Sequence, residues 1–139
     1  MTAKREPRTQ MCSRADARTR LDHARKFLEV ATLIVEPGQD LAYSSAAAAL
    51  AVLAGIAAAD AACCQVLGRR SRAQDHRQAV DLVTQIEPGG KEAAKSLGRL
   101  LSLKDQAHYG LFDVAGQDLQ TALRQADALV TFAAGVLRL

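Results

Sequence analysis

Between Ala46 and Ala62, 11 of 17 residues are alanine. Alanine is the strongest helix former, and a helix that is apolar on every side must be covered on every side. The rest of this chain must therefore pack around that segment. The uncharged run Leu41 to Ala59 is 19 residues long, close to the length of a membrane span. Alanine dominates it, Ser44 and Ser45 stand near one end, Asp60 follows, and mean hydropathy over the whole chain is −0.04. It reads as the buried central helix of a soluble domain, with no membrane as partner.

The packing material around it is limited. The 139 residues, one domain by length, are 49% hydrophobic but only 4% aromatic, with no tryptophan. A core of Ala, Leu and Val suits close-packed helices better than sheets, which favour β-branched and aromatic residues. The cysteines are Cys12, Cys63 and Cys64. Their spacing matches no CxxC or zinc pattern, so no metal or other cofactor is expected. Cys63 and Cys64 read as small core hydrophobes, and an odd cysteine count without a secretory leader argues for a reducing, cytoplasmic setting. Net charge is +3, but residues 1–20 carry +4 and the remainder −1. The basic character belongs to the start of the chain, where residues 1–12 read as a disordered basic tail, and 13–139 as a single helical domain.

Five helical segments follow from periodicity and punctuation. The first is expected from about Ala15 to Glu36, with Ser13 and Asp16 as a capping pair. Ala17, Leu21, Ala24, Leu28, Ala31 and Val35 form its inner stripe, and Pro37-Gly38 is its stop. Asp40 caps the central helix, and Gly68 ends it. A basic loop with Arg69, Arg70 and Arg72 leads to a short third helix from about Arg72 to Ile86, with Ser71 and Gln74 as a capping box. The fourth helix runs from Lys91 to about Tyr109, anchored by Leu97, Leu100 and Leu101 and ended by Gly110. Asp118 is expected to cap the last, Leu119 to Leu137, whose inner stripe is Leu119, Leu123, Ala126, Val130, Ala133 and Leu137. Short connections imply antiparallel neighbours. The expected fold is all-α, an up-and-down bundle of four long helices and one short one. No strand pattern, phosphate-binding glycine loop or nucleophile elbow is present.

Few residues carry chemistry. Lys104 and His108 are four apart, hence on one helix face. They could contact phosphate together; equally, that spacing suits a snorkelling lysine and a histidine closing a helix. His76 is in register with Ala79, Val83 and Ile86, which marks it as a partly buried histidine held by Asp75 or Asp60. Asp60 is the only charge between Leu41 and Gly68, and a carboxylate in so apolar a helix needs a partner: Arg69, Arg70, a histidine, Lys104 or a second copy of the chain. Arg69, Arg70 and Arg72 suit bidentate phosphate contacts as well as a plain solvated loop. His23, among charged residues, is assigned no role.

The order of helices, the Ala-rich second helix ending in charge, the short third helix and the ending "KDQAHYG" resemble the HEPN domain family (higher eukaryotes and prokaryotes nucleotide-binding), over roughly residues 15–137. The resemblance implies a dimeric helical bundle that binds RNA or a nucleotide. Its members include metal-independent endoribonucleases of toxin type, and non-catalytic dimeric partners of a nucleotidyltransferase or antitoxin. Carried over by position, His108 is the family histidine, Lys104 stands for the family arginine and Tyr109 flanks the site; in an RNA-cleaving mechanism of this kind Asp60 would orient a cation or a histidine. The family places four to six residues between arginine and histidine; here three residues separate Lys104 from His108. Arg70 and His76, five residues between them, satisfy the spacing literally but precede the third helix, as a coincidence or as a second wall of the same cleft.

Overall fold

The computed structural model describes residues 9–34, 41–72, 76–111, 113–114 and 116–138. The described chain is an all-α bundle: α1 Arg14–Ile34, α2 Leu41–Leu67, α3 His76–Thr84, α4 Gly90–Tyr109 and α5 Gly116–Arg138. Four helices are long and the third has 9 residues, as the sequence implies. Two short strands, β1 Thr9–Met11 and β2 Arg69–Ser71, pair antiparallel with Gln10 opposite Arg70.

α2 packs against every other helix. Ala47, Ala48, Ala51, Ala54, Ala57, Ala58, Ala61 and Ala62 have no exposed surface, because successive small side chains let neighbours close in from several sides at once. At Gly55 the fit is tightest: a Cβ there would collide with Leu100 of α4 and lie 3.2 Å from Leu129 of α5. Helix α2 meets the length and apolarity of a membrane span over Ala42–Leu67, and 78% of its most apolar window is buried against the rest of the bundle.

The helix ends follow local chemistry. Ser13 and Asp16 form the expected reciprocal cap: the Ser13 N–H donates to Asp16 Oδ2 at 2.8 Å and the Asp16 N–H to Ser13 Oγ at 3.1 Å. On α1, Ala17, Leu21, Ala24 and Ala31 are buried and Leu28 packs at the edge of the core. α2 stops at Gly68, whose φ of +68° suits glycine. α4 begins at Gly90, where the backbone passes so close to the Val83 carbonyl that a side chain would not fit. Gly110 ends α4, and its N–H donates to the Gln106 carbonyl. Pro37-Gly38, Asp40, Gln74 and Asp75 lie outside the described residues.

Four expectations are corrected. Ser71, expected to cap the third helix, lies in β2, and α3 spans His76–Thr84 instead of Arg72 to Ile86. α5 begins at Gly116, so Asp118 stands in its first turn and not at its cap. Residues 9–12, expected within a disordered tail, form β1 and the segment joining it to α1, and the Cys12 N–H donates to the Gly68 carbonyl at 3.0 Å. Strands of three residues are too short to show alternation, so only the partner strand reveals them. Cys64 is no free core thiol: it forms a disulfide with Cys12, 52 residues away. Cys63 remains a buried thiol.

Leu100→Ala is expected to lower stability by about 2–5 kcal/mol through the cavity it leaves. Adding Gly55→Ala fills part of that cavity, so the second change costs less in the Leu100→Ala background than in the native one. Urea unfolding of both single variants and the double variant measures this coupling.

Candidate functional site

Asp60 is 7% exposed, the one charged residue in the described core. A buried carboxylate must be matched, and here two guanidinium groups do so from different elements. Arg20 of α1 reaches Asp60 Oδ2 through Nε at 3.2 Å and Nη2 at 3.1 Å, and Arg70 of β2 reaches the same oxygen through Nη1 at 3.1 Å. The Arg70 Nη2 also donates to Gln10 Oε1 of β1 at 3.3 Å. Arg20 Nη1 approaches His23 Nδ1 at 3.2 Å, which gives His23 a partner that its charged sequence surroundings did not suggest.

Gln10, Arg20, Asp60 and Arg70 line a cleft of about 220 Å³. Arg72 and His76 line it too, and Ile56, Ala79, Leu97 and Leu101 are its apolar lining. His76 opens α3, and its Nε2 lies 2.6 Å from Lys104 Nζ of α4. An ammonium has only donors, so a hydrogen bond at this contact runs from Lys104 to His76 Nε2. Among the described residues the lining groups include three arginines and one carboxylate, and Lys104 contacts His76. Asp60 offsets one of these cations, so the described lining carries excess positive charge beside apolar side chains, an arrangement suited to an anion with several oxygens.

The structure separates residues that the sequence grouped. Lys104 turns toward His76, whereas His108, one helical turn on, is half-buried with Nε2 3.3 Å from the Ala49 carbonyl of α2. Because a carbonyl only accepts, His108 donates there. Next to it, Ala107 packs on a small cluster of Ala47, Ala48, Val114 and Leu119, and His108 does not line the cleft. Four residues of helix rise about 6 Å, enough to carry the two side chains to different neighbours. Arg69 is absent from the cleft lining, which takes Arg70 and Ser71 from the same strand; the register partner of Arg69 is Met11. Tyr109 is the last residue of α4, and its side chain lies outside the described part of the structure. Arg70 and His76, which match the family spacing literally, do share the cleft.

Two cleft residues went unread in the sequence. Arg20 precedes Leu21 and follows Ala17 by three, so it borders the buried stripe of α1; a cation at that edge is a signal for a buried carboxylate opposite. Gln10 carries no such signal, because its position depends on the β1–β2 pairing.

The surroundings tune three titrating groups. Burial pushes the Asp60 carboxyl above the usual carboxylate range, and Arg20 and Arg70 pull it down without cancelling that effect. Burial, with the Asp60 charge adding to it, pushes the Cys63 thiol up to about 12. The Ser13 backbone N–H, then its hydroxyl, holds Asp16 below the ordinary range. Among the described residues no three His, Cys, Asp or Glu side chains gather as a metal site. No family model matches the chain, and no curated protein sequence matches it.

The two acids are expected to shape acid unfolding in opposite directions. Asp16 has a lowered folded pKa, so its contribution is present above the ordinary value of 3.8 and is lost as pH falls through the folded value. Asp60 has a raised one, so its titration favours the folded state most below 3.8, and that contribution is lost as pH rises through the folded value. Urea midpoints from acid to neutral pH should therefore show the wild-type advantage over Asp16→Asn growing with pH. The difference from Asp60→Asn should move the other way.

Proposed function

We propose that this chain binds a phosphate-bearing ligand, RNA or a nucleotide, in the cleft between β2, α2, α3 and α4, as its HEPN-like sequence pattern implies. The observation that carries this reading is the convergence of Arg20, Arg70, Arg72 and His76 on one cleft, in which Asp60, the one carboxylate among the described lining residues, is already matched. Arg72 and the outer edge of Arg70 would grip phosphate oxygens, and Lys104 would add charge through His76. The apolar lining would lower the local dielectric and strengthen each contact.

A second reading, metal-independent RNA cleavage of toxin type, is favoured by the contact between His76 and Lys104 beside those guanidinium groups. The RNA 2′-hydroxyl would attack its own phosphate, His76 would move protons, and the cations would stabilise the charge that develops on phosphorus. In this geometry His76, rather than His108, is the histidine in reach of the cleft. The non-catalytic alternative is a homodimeric partner of a nucleotidyltransferase or antitoxin that uses the same cleft.

Arg72→Ala, at an exposed position, should weaken binding of a fluorescent single-stranded RNA about tenfold, the equivalent of one charge-assisted hydrogen bond of about 1.5 kcal/mol. The slope of log affinity against log salt should fall by about 0.7 for each phosphate that the variant no longer neutralises. Unchanged anisotropy titrations would refute the binding site. RNA cleavage in EDTA that disappears in His76→Ala selects the catalytic reading. Binding without cleavage selects the non-catalytic one.

A further inference from the structure

The cationic wall of the cleft is built on a strand that could not stand alone. β2 is three residues long and its only strand partner among the described residues is β1, also three residues long; an isolated pair of this size is at best marginally stable in water. What holds β1 in place is covalent. Cys12 follows β1 directly and is bonded to Cys64 in the buried part of α2, while the Cys12 N–H donates to the Gly68 carbonyl just before β2. Gln10, two residues before the disulfide, lines the cleft and accepts from Arg70.

Resting on the phosphate-binding reading of this cleft, we propose that the Cys12–Cys64 bond is a redox-controlled strap: intact, it holds Gln10 and β2 so that Arg70 and Arg72 face the ligand, and reduced, it releases β1 and lowers the affinity of the cleft. Gln10 is then a positioning residue for Arg70, with Asp60 fixing the other side of the same guanidinium group.

A second small cavity of about 150 Å³, lined by Cys12, Cys64, Asp16, Arg20 and Arg70 among others, adjoins the bond. Cys12 is only half-buried, whereas Cys64 is 2% exposed, so a dithiol reductant meets the Cys12 sulfur first. Its thiolate attacks Cys12 Sγ, the S–S bond breaks, and Cys64 leaves as a thiolate and then takes up a proton. The second thiol of the reductant attacks the mixed disulfide and frees the Cys12 thiol. The protein gains two electrons and two protons, and the reductant leaves as its own disulfide. Cys63 does not compete: its thiol, pushed up to about 12, stays protonated at neutral pH and cannot exchange with its neighbour.

The strap is tested on the full chain with and without dithiothreitol, the thiols being counted by alkylation and mass spectrometry. Before reduction one thiol should be alkylated under denaturing conditions, and three after it. On reduction, amide hydrogen exchange over residues 69–72 should accelerate, and affinity for the fluorescent RNA should fall about tenfold. Cys12→Ser should show the weaker affinity and faster exchange from the start and ignore the reductant. Cys63→Ser should respond like the wild type, and Gln10→Ala should weaken binding while leaving the disulfide intact. Three free thiols in the isolated oxidised protein, or unchanged exchange at 69–72 after complete reduction, overturn the strap. If Arg72→Ala weakens RNA binding and reduction does not, the strap fails while the binding site stands. If no RNA binds in either state, the binding reading fails and the redox control of affinity fails with it.

Discussion

One helix with no polar face sets the terms for this molecule. α2 cannot show any side to water over most of its length, so the other helices arrange themselves by which part of it they cover. Alanine makes that possible, because several neighbours can approach one small-residue surface without competing for volume. Gly55 is the extreme case, where Leu100 and Leu129 fill the space a side chain would take. Tight packing of this kind tolerates little change in volume, which gives the bundle a rigid centre without large aromatic residues.

Asp60 is the exception on that helix, and it organises the polar chemistry around itself. A single buried carboxylate draws Arg20 from α1 and Arg70 from β2 onto one oxygen, and the cleft opens where these cations meet the start of α3. Burial of the acid and clustering of the cations are two sides of one electrostatic requirement. The proposed ligand site is the surplus of that arrangement: two arginines are held at one carboxylate, and Arg72 adds a further charge at the rim.

The relation between Lys104, His76 and His108 shows where sequence spacing loses its grip. The four-residue spacing placed Lys104 and His108 on one face of α4. Which neighbour each meets depends on how α4 crosses α2 and α3, and there the two diverge: Lys104 to His76, His108 to the Ala49 carbonyl. The literal arginine–histidine spacing between Arg70 and His76 coincided with a shared cleft, although nothing local to that loop said so.

From the sequence by itself came the helical class, the four long and one short helices, the central place of α2, the Ser13–Asp16 cap and the stops at Gly68 and Gly110. These depend on interactions within a few residues or on the apolar character of a single segment, so they are written along the chain. Only the tertiary structure decided the pairing of β1 with β2, the bond between Cys12 and Cys64, the roles of Arg20 and Gln10, and the separation of His108 from the cleft. Each of these joins residues far apart in sequence, and their meeting is set by how helices pack around α2, a property that no short stretch of the chain contains.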